Sequence, residues 1–93
     1  MNNVSAFRQT LLAEVQRAER GVILVLAEVP FMDSSGIAVL IEGLKWSREW
    51  SQPYILAQLT SDVQMVLELA RLETFFTIVE DLEGALALIA NVS

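Results

Sequence analysis

Val22-Ile23-Leu24-Val25-Leu26, Ala27-Glu28-Val29-Pro30 and Phe31-Met32-Asp33-Ser34-Ser35-Gly36-Ile37 together form the stretch that decides the fold. Its first five residues are an unbroken β-branched and aliphatic run. Such a run suits a central strand of a parallel sheet, covered on both faces. A second apolar run starts at Ile37 and the pattern continues to Trp50. The order reads as buried strand, short loop, helix. Asp33, Ser34 and Ser35 then stand at a helix N-terminus. The first turn of a helix leaves backbone N–H groups unpaired and carries partial positive charge. An anion is stabilised there, including a phosphate carried by a serine.

Working outward, residues 4–19 show a helical period that puts Val4, Phe7, Leu11, Val15 and Ala18 on one face. Gly21 is a C-terminal stop for that helix. Downstream, Gln52-Pro53 ends the helix that begins at Ser34, and Tyr54 to Leu59 reads as the next strand. Thr60-Ser61-Asp62 supplies caps for a third helix with Val63, Val66, Leu67 and Ala70 inward. Phe75 to Val79 reads as a third strand. Asp81 can cap a last helix that turns Leu82, Ala85, Leu86 and Ile89 inward. The order α-β-α-β-α-β-α predicts an α/β fold: a small, mostly parallel sheet of about three strands joined by right-handed crossovers. No linker, low-complexity tract or repeat interrupts it, so residues 1–93 read as one domain.

Composition narrows the function. The chain has 93 residues, 54% of them apolar, with no cysteine and no histidine. Disulfides, thiolate metal sites, imidazole zinc sites and histidine general bases are thereby excluded. The net charge is −6, and Arg8, Arg17, Arg20, Lys45, Arg48 and Arg71 are scattered. Counterion release on nucleic acid requires clustered cations, so direct nucleic-acid binding is not expected. An acidic surface fits a protein partner with a basic one. No apolar run approaches the ~20 residues that span a bilayer, and no secretion signal is visible. The reading is therefore cytoplasmic, with no membrane insertion.

The four glycines at 21, 36, 43 and 84 form no phosphate-cradling loop. No serine has a histidine or well-placed lysine to activate it. Glu80, Asp81 and Glu83 lack the further oxygens of a cation site and read as helix-start acids. No catalytic residue, cofactor or metal is expected. Trp46 and Trp50, one turn apart, either pack against the sheet or mark a contact surface, with packing slightly favoured. Asp33-Ser34-Ser35-Gly36 alone reads as an ordinary helix cap.

In context it says more. Phe31-Met32-Asp33-Ser34-Ser35-Gly36-Ile37 after a buried strand resembles the STAS domain, specifically the bacterial anti-sigma factor antagonists. The likeness extends through the helix opening at Thr60-Ser61-Asp62 and through Leu72-Glu73 ahead of Phe75-Phe76-Thr77-Ile78. The resemblance implies a partner switch. The partner is an anti-sigma factor that is also a serine kinase, and a serine phosphatase reverses the modification. Ser34 is the implied phosphoacceptor, with Met32, Asp33, Ser35 and Gly36 as partner-binding neighbours. As an alternative, STAS domains serve as docking or accessory modules of transport systems.

Two features depart from the family pattern. The chain starts almost at the first helix, without the usual leading strand pair, and Val25 stands where the family often has Asp or Asn. Missing strands leave a sheet edge open, so a homodimer or edge pairing with a partner is expected. A shortened form of a longer STAS protein is a third reading.

Overall fold

A computed structural model describes residues 4–90. Four helices and three strands alternate: α1 (Val4–Arg17), β1 (Val22–Val25), α2 (Ser34–Glu49), β2 (Tyr54–Ala57), α3 (Ser61–Leu69), β3 (Thr77–Val79) and α4 (Leu82–Ala90). The strands form one parallel sheet in the order β1-β2-β3. Val22 pairs with Tyr54 and Val25 with Ala57, while Ile55 pairs with Thr77 and Ala57 with Val79.

The side chains explain the layering. Leu11 and Val15 of α1, Val39 and Leu40 of α2, and Val63 and Leu67 of α3 share one core with Val22, Tyr54 and Leu56. The two crossover helices, α2 and α3, thus lie on one face of the sheet, as same-handed crossovers advancing in one direction require. Ile55 and Ala57 point to the opposite face and meet Ala85, with Ile23, Val79 and Ile89 around them. One helix, α4, covers that face.

The open run Val22 to Leu26 is not a central strand. β1 lies at the edge, and the central place belongs to β2, whose four residues are all buried. Four apolar residues in a row report burial of faces, and nothing about how many neighbours a strand has. Even the faces are unequally covered: α4 leaves Val25 46% exposed. The third strand is also shorter than the pattern suggests. Phe75 and Phe76 belong to a turn, in which the Phe75 N–H donates to the Leu72 carbonyl at 2.9 Å. Phe76 enters the core and Phe75 does not.

The inner faces of the later helices need similar correction. Ala70 is the exposed C-cap of α3. On α4 the small Ala85 is buried and Ile89 half-buried, whereas Leu82 and Leu86 remain exposed. The first helix behaves as its spacing predicts at Phe7, Leu11, Val15 and Ala18. The side chain of Val4 lies outside the described residues.

Close approaches fix α1 and α2. A Cβ at Gly43 would come within 2.5 Å of the Tyr54 hydroxyl and 2.7 Å of Leu11 Cδ2. The Tyr54 hydroxyl donates to the Leu40 carbonyl at 3.0 Å, and burial pushes its pKa above the ordinary tyrosine value. Gln52 Nε2 donates to the Ala18 carbonyl at 2.8 Å, and Arg8 pairs with Glu42 at 2.5 Å. The second helix ends in a Schellman turn. Gln52 N donates to Ser47 O at 2.7 Å and Ser51 N to Arg48 O at 3.2 Å, with Ser51 left-handed at φ 55°. The third ends likewise, with Arg71 at φ 59°. Neither position carries the usual glycine, which is why only Pro53 signals the first of these stops in the sequence.

Candidate functional site

In a parallel sheet every strand ends on the same side, and ligands of open α/β sheets bind outside those carboxyl ends. Here that side collects the N-termini of α2, α3 and α4. Each is closed by a short polar side chain. Asp33 Oδ1 accepts from Gly36 N at 3.0 Å, Thr60 Oγ1 accepts from Val63 N at 3.5 Å, and Asp81 Oδ1 accepts from Gly84 N at 2.8 Å.

The loop from β1 to α2 is built from the inside. The Val29 N–H donates to the Leu26 carbonyl at 3.1 Å and closes a turn over Ala27-Glu28. The Val29 carbonyl accepts from the Thr60 hydroxyl at 2.9 Å, tying this loop to the start of α3. The chain reaches Thr60 through Gln58, which takes the left-handed conformation at φ 57° as β2 ends. Met32 is 1% exposed and anchors the loop in the core. A Cβ at Gly36 would stand 2.6 Å from Met32 Cγ, so glycine is what lets the first turn of α2 sit over that side chain.

With Met32 held below, Asp33 takes the extended backbone of an N-cap, φ −87° and ψ −177°. Ser34 and Ser35 become the first two residues of α2, and both are exposed. Neither serine hydroxyl has a hydrogen-bond partner among the described residues. The Ser34 oxygen therefore stands in solvent at the positive end of a helix of 16 residues. No Lys or Arg occurs between Arg20 and Lys45, so the loop has no cation of its own to neutralise a charge placed there.

The five residues singled out in the sequence divide by burial. Asp33, Ser34 and Ser35 face solvent. Met32 and Gly36 are buried and shape the loop from below. Sequence reasoning missed two neighbours. Phe31 is an apolar side chain 58% exposed beside the serines. Thr60 acts at the site through Val29 rather than only as a cap. Phe31 was visible as an aromatic next to the loop, but period alone cannot tell which of Phe31 and Met32 turns inward.

The Glu80, Asp81 and Glu83 cluster resolves into the cap of α4, and no group of side chains suited to a metal ion occurs among the described residues. Trp46 packs half-buried against the core, while Trp50 is the exposed C-cap of α2. No helix of the described residues is long and apolar enough to cross a membrane.

The STAS domain family model matches residues 1–85, carrying the whole β1-loop-α2 unit. The chain belongs to the STAS domain family. Its sequence is 27% identical over 85 residues to BtrV of Bordetella bronchiseptica, which carries the name of an anti-sigma factor antagonist; the match covers 91% of this chain and 73% of that one. The STAS fold is shared with the crystal structure of an anti-sigma factor antagonist from Thermotoga maritima, at a TM-score of 0.89 and 22% identity, covering 98% of this chain and 79% of the other. An anti-sigma factor antagonist (STAS) domain protein of Planctomyces limnophilus superposes at 0.85 with 26% identity, over 95% of this chain and 77% of that one. The chain is an anti-sigma factor antagonist-like STAS domain.

Proposed function

We propose that this STAS domain is a partner-switching protein: it binds an anti-sigma factor that is also a serine kinase, and phosphorylation of Ser34 ends the complex. The observation that carries this reading is the exposed Ser34 hydroxyl at the first residue of α2, fixed by the Asp33 cap and the Met32 anchor. Family membership and the name of the Bordetella relative support the partner class.

The switch follows from local electrostatics. A phosphate adds about −1.5 to −2 charges at neutral pH. Within the free protein it meets the unpaired N–H groups of the first turn of α2, which favour an anion. In a complex the same charge, beside Asp33, must be stripped of water against a surface fitted to a hydroxyl. A penalty of about 3 kcal/mol there weakens binding roughly a hundredfold. No change of fold is needed. A serine phosphatase restores the hydroxyl. The outer edge of β1, without a paired strand among the described residues, offers a second, weaker function, pairing with a second copy of the chain.

Affinity capture from the parent cells on the unmodified protein tests the reading. It should recover an anti-sigma factor with kinase activity. Incubation of that complex with ATP should then place one phosphate on Ser34, and Ser34→Ala should remain unlabelled. Phosphate found on another residue overturns the site. Capture of a transporter ATPase in place of a kinase overturns the partner class in favour of a transport accessory, a reading to which the uncharged, half-exposed Val25 lends some support.

A further inference from the structure

Far from the serines, the C-terminal half of α2 and the connection from α3 to β3 enclose a groove of about 250 Å³. Ile41, Leu44, Leu72 and Phe76 form its walls, and Phe75, 59% exposed, is its lip. Lys45 and Arg48 stand on the rim, one helical turn apart. At 1.5 Å per residue they lie roughly 16 to 21 Å along α2 from Ser34, outside a footprint centred on the serines.

Two features indicate what the groove takes. An engineered apolar cavity of ~150 Å³ accommodates benzene, so this one is wide enough for a leucine or phenylalanine side chain. The rim charge is the more telling. The chain holds only six cations against twelve acids, and two of the six border this one cleft. Neither Lys45 nor Arg48 has an ion-pair partner among the described residues, whereas Arg8 and Arg17 are paired with Glu42 and Glu14. An apolar pocket with aromatic and arginine side chains at its margin is the composition of a docking surface.

We infer that this groove docks an acidic amphipathic segment of a partner protein, with one apolar side chain in the cleft and flanking carboxylates against Lys45 and Arg48. The helix-in-groove mode fits, because an amphipathic helix presents its anchors and its flanking charges one turn apart. The site is independent of Ser34, so it holds a partner in both phosphorylation states of the switch.

An NMR titration of the isotopically labelled chain tests this. The probe is a synthetic amidated peptide with leucine and phenylalanine at i, i+4 and glutamate elsewhere. Its control carries lysine for every glutamate. The acidic peptide should give saturable amide shifts confined to Ile41–Arg48 and Leu72–Phe76. Exposed charge pairs contribute about 0.2 to 1 kcal/mol each, so Lys45→Glu combined with Arg48→Glu should weaken binding at least about twofold and up to about thirtyfold. Phe75→Asp, at an exposed position, should weaken it as well without unfolding the chain. Ser34→Glu should leave it unchanged, which separates failure of this site from failure of the switch. Equal binding of the lysine peptide, shifts centred on α4, or no saturable shift at millimolar peptide overturns the inference. So does a dilution series in which the groove shifts with protein concentration alone, because the occupant is then a second copy.

Discussion

Replacing Gly36 by alanine tests how the loop is held. The added Cβ stands 2.6 Å from Met32 Cγ and 3.3 Å from its sulfur, about 1 Å inside the ~3.5–4.0 Å optimum for carbon pairs. Met32 cannot swing out into solvent without leaving the core, since it is 1% exposed and packed there. Overpacking of this kind costs about 1 to 3 kcal/mol. Methionine adapts better than a branched side chain, which favours the lower end. Against this, alanine in place of glycine gains at most about 1 kcal/mol of helix propensity. The net expectation is a loss between zero and about 2 kcal/mol, each kcal/mol lowering Tm by roughly 4 to 8 °C in a domain of this size. Urea unfolding followed by the half-buried Trp46 measures it. The decisive arm is the Met32→Ala background, which removes the atoms that clash. That change alone costs about 2 to 5 kcal/mol as a cavity. Within it, Gly36→Ala should reverse sign and stabilise by up to about 1 kcal/mol. Equal effects of Gly36→Ala in both backgrounds refute the idea that glycine is there to admit Met32.

Asp33→Ala should lower stability by about 0.5 to 2 kcal/mol through loss of the bond to Gly36 N, and Asp33→Asn should restore most of it, as thermal unfolding of the three proteins will show. Tyr54 gives a pH signature. Its folded pKa lies above the ordinary value near 10, so the unfolded chain loses that proton first. Its contribution is intact below pH ~10 and falls at higher pH by at most about 1.4 kcal/mol per unit; urea midpoints of Tyr54→Phe should therefore decline less steeply in that range. Gly43→Ala should destabilise by more than Gly36→Ala, because its Cβ meets Leu11 and the buried Tyr54 hydroxyl at once, and comparative urea melts will rank the two.

The order of elements and the place of the serines were legible because both rest on local chemistry. The apolar period of α1, the caps Asp33, Thr60 and Asp81, and Pro53 each act within a few residues of themselves. What was not legible depends on neighbours distant in sequence. Whether Val22 to Val25 is central or at an edge depends on pairing that its own residues do not encode. Leu82 and Leu86 look inward by spacing, yet Ala85 and Ile89 take the sheet-facing places because a small residue lets α4 approach Ile55 and Ala57. Phe75 and Phe76 read as strand, but a further turn after the end of α3, closed by Phe75 N–H to the Leu72 carbonyl, carries the chain through them before β3 can start. At the site, the apolar pair Phe31-Met32 did not show which side chain turns inward; the tight space at Gly36 belongs to the buried Met32, and Phe31 is the exposed one.

In the proposed switch, charge on one solvent-facing hydroxyl decides who docks at the head of α2. Calorimetry of the captured kinase-type partner against the chain phosphorylated at Ser34 and against the unmodified chain tests it most directly. The expected result is an affinity loss of about a hundredfold or more, with amide shifts confined to the loop and first turn of α2. Equal affinity of the two forms would contradict it.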